Sequence, residues 1–335
     1  MTMKKNSELW VFIEINKGVL ARVSLELLSK AVDLNKKAQG VVAAFVIGQG
    51  AEKFSDELIH YGADKVIIAQ SPVAKDYRTE VYTRILADHA KKNIPEILLI
   101  GATGTGRDLA PRLSARLNTG CTTDCTDLNI DNDTGLLVAT KPFFGRDVMA
   151  DIECPRHIPQ VISVRPGVVE LKKKDNSRKG DLVFADVNIK EEDVKIKILE
   201  TISSPSDEAA LQDAEKVVAG GMGICDAAGF EILKRLADML GAEVGGTTVP
   251  VEAGLIPHER LIGQTGKTIR PKLYIGCGIS GAIQHSAGMI NSEIIVAINN
   301  NPDAEIFDFS DYGFVGDAYE IIPAIISELE KHKSN

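Results

Sequence analysis

The sequence predicts an α/β fold in two units. The first is a nucleotide-binding-like parallel sheet with an antiparallel extension, and the second is smaller and doubly wound. Three observations carry that expectation. Apolar, β-branched runs alternate with amphipathic stretches over residues 10–117. Helical periodicity then disappears between 121 and 171, where turn residues separate shorter apolar runs. From 215 the pattern of strand, glycine turn and helix resumes. Continuous apolar strands separated by helices mark a parallel sheet covered on both faces.

Strands are predicted over 10–15, 41–47, 65–69 and 96–101, with helices over 20–38, 51–61 and 77–92 between them. In the third helix Val81, Tyr82, Ile85, Leu86 and His89 recur at three and four, as a helix facing a sheet requires. After the fourth strand, Ala102-Thr-Gly-Thr-Gly-Arg107-Asp108 opens a helix running to Leu117. That turn is either an anion site with Arg107 beside it or a tight turn that permits close packing. It lacks a Walker lysine followed by Ser or Thr, so NTP hydrolysis is not supported.

Short strands follow at 125–130, 136–141, 148–154 and 160–164, and the turns between them suit hairpins at an antiparallel edge of the sheet. Cys121 and Cys125 have no second pair and no histidine at ligand spacing, so no metal is expected. The basic run 172–181 reads as a solvated loop tip, and 197–208 as a linker dividing the chain into 1–200 and 201–335. The second unit starts with a strand over 215–221 and a helix over 226–240 closed by Gly241. A strand at 272–275, a helix carrying Gln284 and His285, strands over 293–299 and 305–309 and a helix over 317–331 complete it.

Composition narrows the function. A net charge of −9 over 335 residues argues against nucleic acid or anionic membrane as a partner. No apolar run is long enough to span a bilayer, and the N-terminus shows no signal-peptide core. Five dispersed cysteines suit a reducing compartment, so the cytoplasm is the expected location.

The most informative stretch is 263–284, GQTGKTIRPKLYIGCGISGAIQ. Gly276-x-Gly278-x-x-Gly281 has the form of a dinucleotide fingerprint. The next strand, however, ends in Asn299-Asn300-Asn301, without the acidic residue that holds a ribose, and Asp303 lies beyond Pro302. A nicotinamide dehydrogenase is therefore the weaker reading. Thr265, Ser280, Gln284, His285, Asn299 and Asp317 fall on turns at strand C-terminal ends, which converge on one crevice in a parallel sheet. Their hydroxyls, amides, imidazole and carboxylate suit a flavin nucleotide.

Four segments resemble the C-terminal domain of the electron-transferring flavoprotein α subunit: Gly263-Gln-Thr-Gly-Lys, Tyr274-Ile-Gly-Cys-Gly-Ile-Ser-Gly-Ala-Ile-Gln-His, Val296-Ala-Ile-Asn and Asp311-Tyr-Gly-Phe-Val-Gly-Asp. Gly101-Ala-Thr-Gly-Thr-Gly-Arg-Asp-Leu-Ala-Pro-Arg-Leu and Arg165-Pro-Gly extend the resemblance over essentially the whole chain. It implies a heterodimer in which residues 1–200 pair with a β subunit and 201–335 bind FAD. It implies an electron carrier rather than a substrate-converting enzyme, commonly serving acyl-CoA dehydrogenases. Some bacterial members instead take electrons from NADH and bifurcate them.

The resemblance also implies residue roles. Thr265 would donate to the flavin N5 region, with Gln264 and Gly266 in the same loop. Ser280 would hold the pyrophosphate, with Gly278, Ile279 and Gly281 around it. Gln284 and His285 would lie near the ribityl chain and the pyrimidine edge, where a positive or hydrogen-donating His285 stabilises a reduced flavin. Asn299 and Asp317 would bind the adenosine end. Each has a plainer reading: Thr265 closes a turn, His285 is a satisfied helix-end histidine and Asp317 caps the last helix. Two positions depart from the family, which carries arginine where this chain has Met222 and where it has Thr248. Both are neutral here, which implies a flavin held less tightly or at lower potential, with the Met222 thioether packed on the ring instead. A flavin-poor structural subunit is the alternative.

Overall fold

The computed structural model describes residues 8–16, 18–143, 148–201, 211–212 and 214–333. Two compact units, Met1–Thr201 and Ile202–Asn335, divide the chain. Residues 1–7, read above for a targeting signal, and 202–208 of the expected linker lie outside the described residues. No helix among the described residues is long and apolar enough to cross a membrane.

The first unit opens with β1 (Glu8–Ile13), a small ribbon of β2 (Ile15–Asn16) and β3 (Val19–Leu20), and α1 (Arg22–Ala38). Then come β4 (Val41–Ile47), α2 (Ser55–His60), β5 (Lys65–Ala69), α3 (Thr79–Asn93), β6 (Ile97–Gly101) and α4 (Gly104–Leu117). The rest is strand: β7 (Cys121–Cys125), β8 (Asp127–Ile130), β9 (Leu137–Phe143), β10 (Val148–Glu153), β11 (Gln160–Val164) and β12 (Asp181–Ala185). The main sheet runs β12-β5-β4-β1-β6-β11-β7, with every pairing parallel. The period of two in β1 explains how it is covered on both faces. Val11 and Ile13 pack with Leu28 of α1 and Leu58 of α2, while Trp10 and Phe12 pack with Leu86 of α3 and Leu109 of α4.

The antiparallel strands do not extend this sheet. β10, β9 and β8 make a three-stranded sheet of their own, and β11 lies inside the main sheet between β6 and β7. The strand expected over 125–130 is divided at Thr126 between β7 and β8, just after Asp124, whose φ of 59° is left-handed, and a shift of the β11–β7 register. The run 172–181 is solvent-exposed apart from the half-buried Arg178, as expected, but it is tethered rather than a free tip. Lys174 pairs with Glu57 at 2.6 Å, Arg178 pairs with Asp64 at 2.7 Å, and Lys172 pairs with Asp33. The run is pinned beside α2 and delivers the chain into edge strand β12, which the sequence reading had missed.

The open question at Ala102–Asp108 is settled by its partners. The Thr103 hydroxyl accepts from the Gly106 N–H at 3.0 Å and donates to the buried Glu14 carboxylate at 2.6 Å. Arg107 lies 3.5 Å from Asp124. A carboxylate stands where an anion would bind, so this turn is a capped helix start.

The second unit comprises β13 (Lys216–Gly220), α5 (Ala227–Leu240), β14 (Glu243–Gly246), α6 (Thr248–Glu252), β15 (Leu273–Cys277), α7 (Ile283–Ser286), β16 (Ile295–Asn299), β17 (Tyr312–Val315) and α8 (Ala318–Lys333). Its five-stranded sheet runs β14-β13-β15-β16-β17, all parallel. Val218, Ile275 and Ile298 face α5 and α8, and Val217, Tyr274 and Ala297 face Ile262, Met289 and Ile306. The expected strand at 305–309 is a 3-10 turn, Glu305–Phe309, and the fifth strand comes later at β17. Only Ile306 of that segment is fully buried, so its alternation served a turn packed under the sheet end. The helix expected to carry Gln284 and His285 is the single turn α7.

Candidate functional site

The second sheet reverses its winding between β13 and β15, the switch point where open α/β sheets bind ligands beyond their strand C-termini. Four loops leave those termini together: 221–223 after β13, 247–249 after β14, 278–284 after β15 and 300–305 after β16. They enclose a cavity of about 590 Å³, within the range of small-molecule pockets. The first and third loops touch. Gly221 N–H donates to Cys277 O and Gly223 N–H donates to Gly278 O, each at 2.9 Å. A Cβ on Gly223 would stand 2.8 Å from Gly278 Cα, so side chains are excluded where the two loops meet.

Of the residues anticipated from sequence, Met222, Thr248, Gly278, Ile279, Ser280, Gln284, His285 and Asn299 line this cavity. Met222 is 76% exposed, and Thr248, Ser280 and Gln284 are exposed at its wall. Asn299 is buried and braces the loop that follows it. Its Nδ2 donates to Ile279 O at 2.7 Å, and its Oδ1 accepts from Asn301 N–H at 2.9 Å. Gln264, Thr265, Gly266, Gly281 and Asp317 do not line the cavity. The turn holding the first three is tied beside it, with Gln264 N–H on Gln284 O and Lys267 N–H on Leu261 O, both at 2.7 Å. Asp317 accepts from Tyr319 N–H at 2.8 Å and starts α8.

His285 differs most from the expectation of a positive or donating group. It is 6% exposed, with Nδ1 2.9 Å from Ile262 O and Nε2 2.6 Å from the Tyr274 hydroxyl. Burial pulls its pKa down to about 4, against a hydrogen bond to Ile262 that acts the other way. The imidazole is therefore neutral and engaged at both nitrogens.

The loop 300–305 was not among the anticipated residues, yet Asn300, Asn301, Asp303 and Glu305 line the cavity. The strand-end rule that selected Asn299 applies equally to the residues after it, and Asp303 does return across Pro302. Thr247, Val249, Ile262 and Ala282 complete the wall. Among the described residues, Asp303 and Glu305 are the only charged side chains of the wall, and neither lysine nor arginine lines the cavity. Hydroxyl, amide and backbone groups must then meet the negative charge of a dinucleotide. Among the described residues no group of His, Cys, Asp or Glu is placed to hold a metal ion. Cys125 is buried, which pushes its thiol up to about 12.

The electron transfer flavoprotein domain matches residues 9–189, and the electron transfer flavoprotein FAD-binding domain matches 210–290. A Thermoanaerobacterium thermosaccharolyticum protein named electron transfer flavoprotein subunit alpha is 47% identical over 331 residues, covering 99% of this chain and all of the relative. This chain belongs to the electron transfer flavoprotein α-subunit family. A Clostridium saccharobutylicum relative, Protein FixB, is 43% identical over 96% of each chain. An Anaerotignum propionicum relative, acryloyl-CoA reductase electron transfer subunit beta, is 38% identical over 98% of this chain and 96% of its own. FAD is the cofactor of this electron transfer flavoprotein α subunit, and its FAD-binding domain spans β13 to α7, with three of the four cavity loops.

Proposed function

We propose that the cavity at the strand ends of the second unit is the FAD seat. The chain would act as one half of an electron-carrying heterodimer between an acyl-CoA dehydrogenase-type flavoenzyme and a further redox partner. The observation that carries the reading is the meeting of four loops at the switch point, lined by hydroxyl and amide side chains with Asp303 and Glu305 on one loop. When bound, FAD supplies the redox chemistry. The chain's residues bind and orient it: Ser280, Thr248 and Gln284 offer hydrogen-bonding groups, and the apposed Gly223 and Gly278 keep the floor open. The relative named as an acryloyl-CoA reductase electron transfer subunit supports an acyl-CoA-linked redox partner. The first unit would pair with the β subunit, and the half-exposed Val148 and Met149 of β10 offer apolar surface for it.

The test is co-purification with the β chain and a count of flavin per heterodimer, with and without Ser280→Tyr. Ser280 is an exposed residue of the wall, so the larger side chain fills the cavity without entering the core. FAD content should fall at least about tenfold while heterodimer yield and circular dichroism stay unchanged. Retained FAD in the variant would place the cofactor elsewhere.

A further inference from the structure

Met222 is the most exposed apolar side chain of the cavity wall, 76% exposed against 40% for Val249. It also offers its sulfur more openly than the other described methionines. Met149 is half-exposed, Met239 is half-buried and Met289 is fully buried. The backbone on either side of Met222 is fixed. Gly221 N–H donates to Cys277 O and Gly223 N–H to Gly278 O, each at 2.9 Å. A Cβ on Gly221 would stand 2.4 Å from Gly278 O, so this turn lies directly on the loop after β15. Ile224, at the end of the same turn, is buried. The turn cannot withdraw from the cavity, and the flexible, unbranched methionine side chain stays at its wall.

Exposure decides how readily a thioether is oxidised. Hydrogen peroxide transfers one oxygen to the sulfur, the O–O bond breaks, and the second oxygen leaves as water. The sulfur loses two electrons, the peroxide gains them, and an apolar side chain becomes a polar sulfoxide. A dithiol reverses the step: it becomes a disulfide, and the transferred oxygen leaves as water. Competing sulfur chemistry nearby is restricted. Cys277 is buried, which pushes its thiol up to about 12, and Cys225 beyond the turn is half-buried.

We propose that Met222 is a reversible oxidation site, shielded by FAD when the cofactor is bound, whose sulfoxide weakens the hold on FAD. This rests on the proposal that FAD occupies the cavity. The thioether presents an apolar, polarisable surface to the cofactor. The sulfoxide replaces it with an oxygen of partial negative charge. The described residues of the wall include Asp303 and Glu305 and no lysine or arginine, so nothing there offsets the added charge. The diphosphate of FAD is anionic, and the oxidised wall is the poorer match for it.

The experiment treats the heterodimer with dilute hydrogen peroxide, both FAD-loaded and FAD-depleted, and follows each methionine sulfoxide by peptide mass spectrometry. Met222 should oxidise at least about tenfold faster in the depleted form, with Met289 reduced in both as the mark of an intact fold. FAD release, read by fluorescence, should speed about tenfold once Met222 is oxidised and recover after treatment with methionine sulfoxide reductase and a dithiol. Met222→Leu keeps an apolar side chain of similar volume, so it should release FAD within about twofold of wild type and lose the response to peroxide. Equal oxidation of Met222 in the two forms would overturn the shielding, and unchanged release from the oxidised protein would overturn the coupling. A response that persists in Met222→Leu would assign the effect to another group, such as Cys225. A heterodimer that never carries FAD sinks the seat itself and this inference with it. One that holds FAD and leaves Met222 unshielded sinks only the role of Met222.

Discussion

At the scale of single residues, His285 couples the second unit to pH. Its ring is neutral in the fold, with a pKa pulled to about 4 from an ordinary value of 6.5. Above 6.5 folded and unfolded chains are both neutral there, so the residue is silent. Between 6.5 and 4 the unfolded chain takes up a proton that the folded one refuses, so stability falls as pH falls. The full loss is roughly 3 kcal/mol by pH 4. Denaturant titrations at stepped pH should show this slope in wild type and a shallower one in His285→Asn. Thr248 supports a second expectation. The described residues of the cavity wall include Asp303 and Glu305 and no lysine or arginine, so Thr248→Arg should raise FAD affinity about tenfold by equilibrium dialysis and raise the flavin potential. An unchanged affinity would show that the negative charge of the cofactor is already met by backbone and hydroxyl donors. The structure bears out the plainer reading of His285 as a satisfied histidine, whereas its partners and the return of Asp303 to the cavity were not legible in the sequence. Both depend on how one loop packs on another, which local spacing does not encode.

At the scale of elements, punctuation was more legible than strand content. Gly241 ends α5 in a left-handed conformation with φ 62°, as a glycine after the last apolar residue of a helix indicates. The runs 41–47, 65–69 and 160–164 became strands with those bounds, because short continuous β-branched runs have few other uses in a buried sheet. The failures are edges. β12 is a short apolar run, Leu182–Ala185, hidden directly behind a charged run, and β14 is half glycine, so pairing with β5 and β13 is what reveals them. The start of α4 offers a test. Thr103→Val removes its cap and leaves the buried Glu14 carboxylate without that hydroxyl, so chemical unfolding should show a loss of about 1–3 kcal/mol. Thr103→Ser should restore most of it.

At the scale of the whole molecule, the chain divides its labour between two parallel sheets that differ at their switch points. In the first, Glu14 after β1 and Thr103 after β6 close the crevice with a short hydrogen bond. In the second, the corresponding loops meet at apposed glycines, which bring no side chain into the crevice. The two-unit plan and the crevice at the strand ends of the second sheet were both readable from sequence, because strand-end loops of a parallel sheet converge wherever the strands are placed. What covers the first unit was not readable, since surface apolar residues carry no period. If Val148 and Met149 face the β subunit, Val148→Asp with Met149→Asp should abolish capture of that chain on an affinity column. The isolated second unit's circular dichroism contribution should be left as in wild type. Undiminished capture would move the interface elsewhere.

The strand order of the second sheet also sets a timetable. β13 lies between β14 and β15, and β15 is not synthesised until the ribosome has passed residue 277. The loop after β16, which supplies Asn300, Asp303 and Glu305, emerges later still. A nascent chain therefore displays a complete first unit long before it owns any place for a cofactor. With the cavity as the FAD seat, flavin loading would come late in biogenesis, and a chain ended before residue 300 should hold less FAD than the full chain.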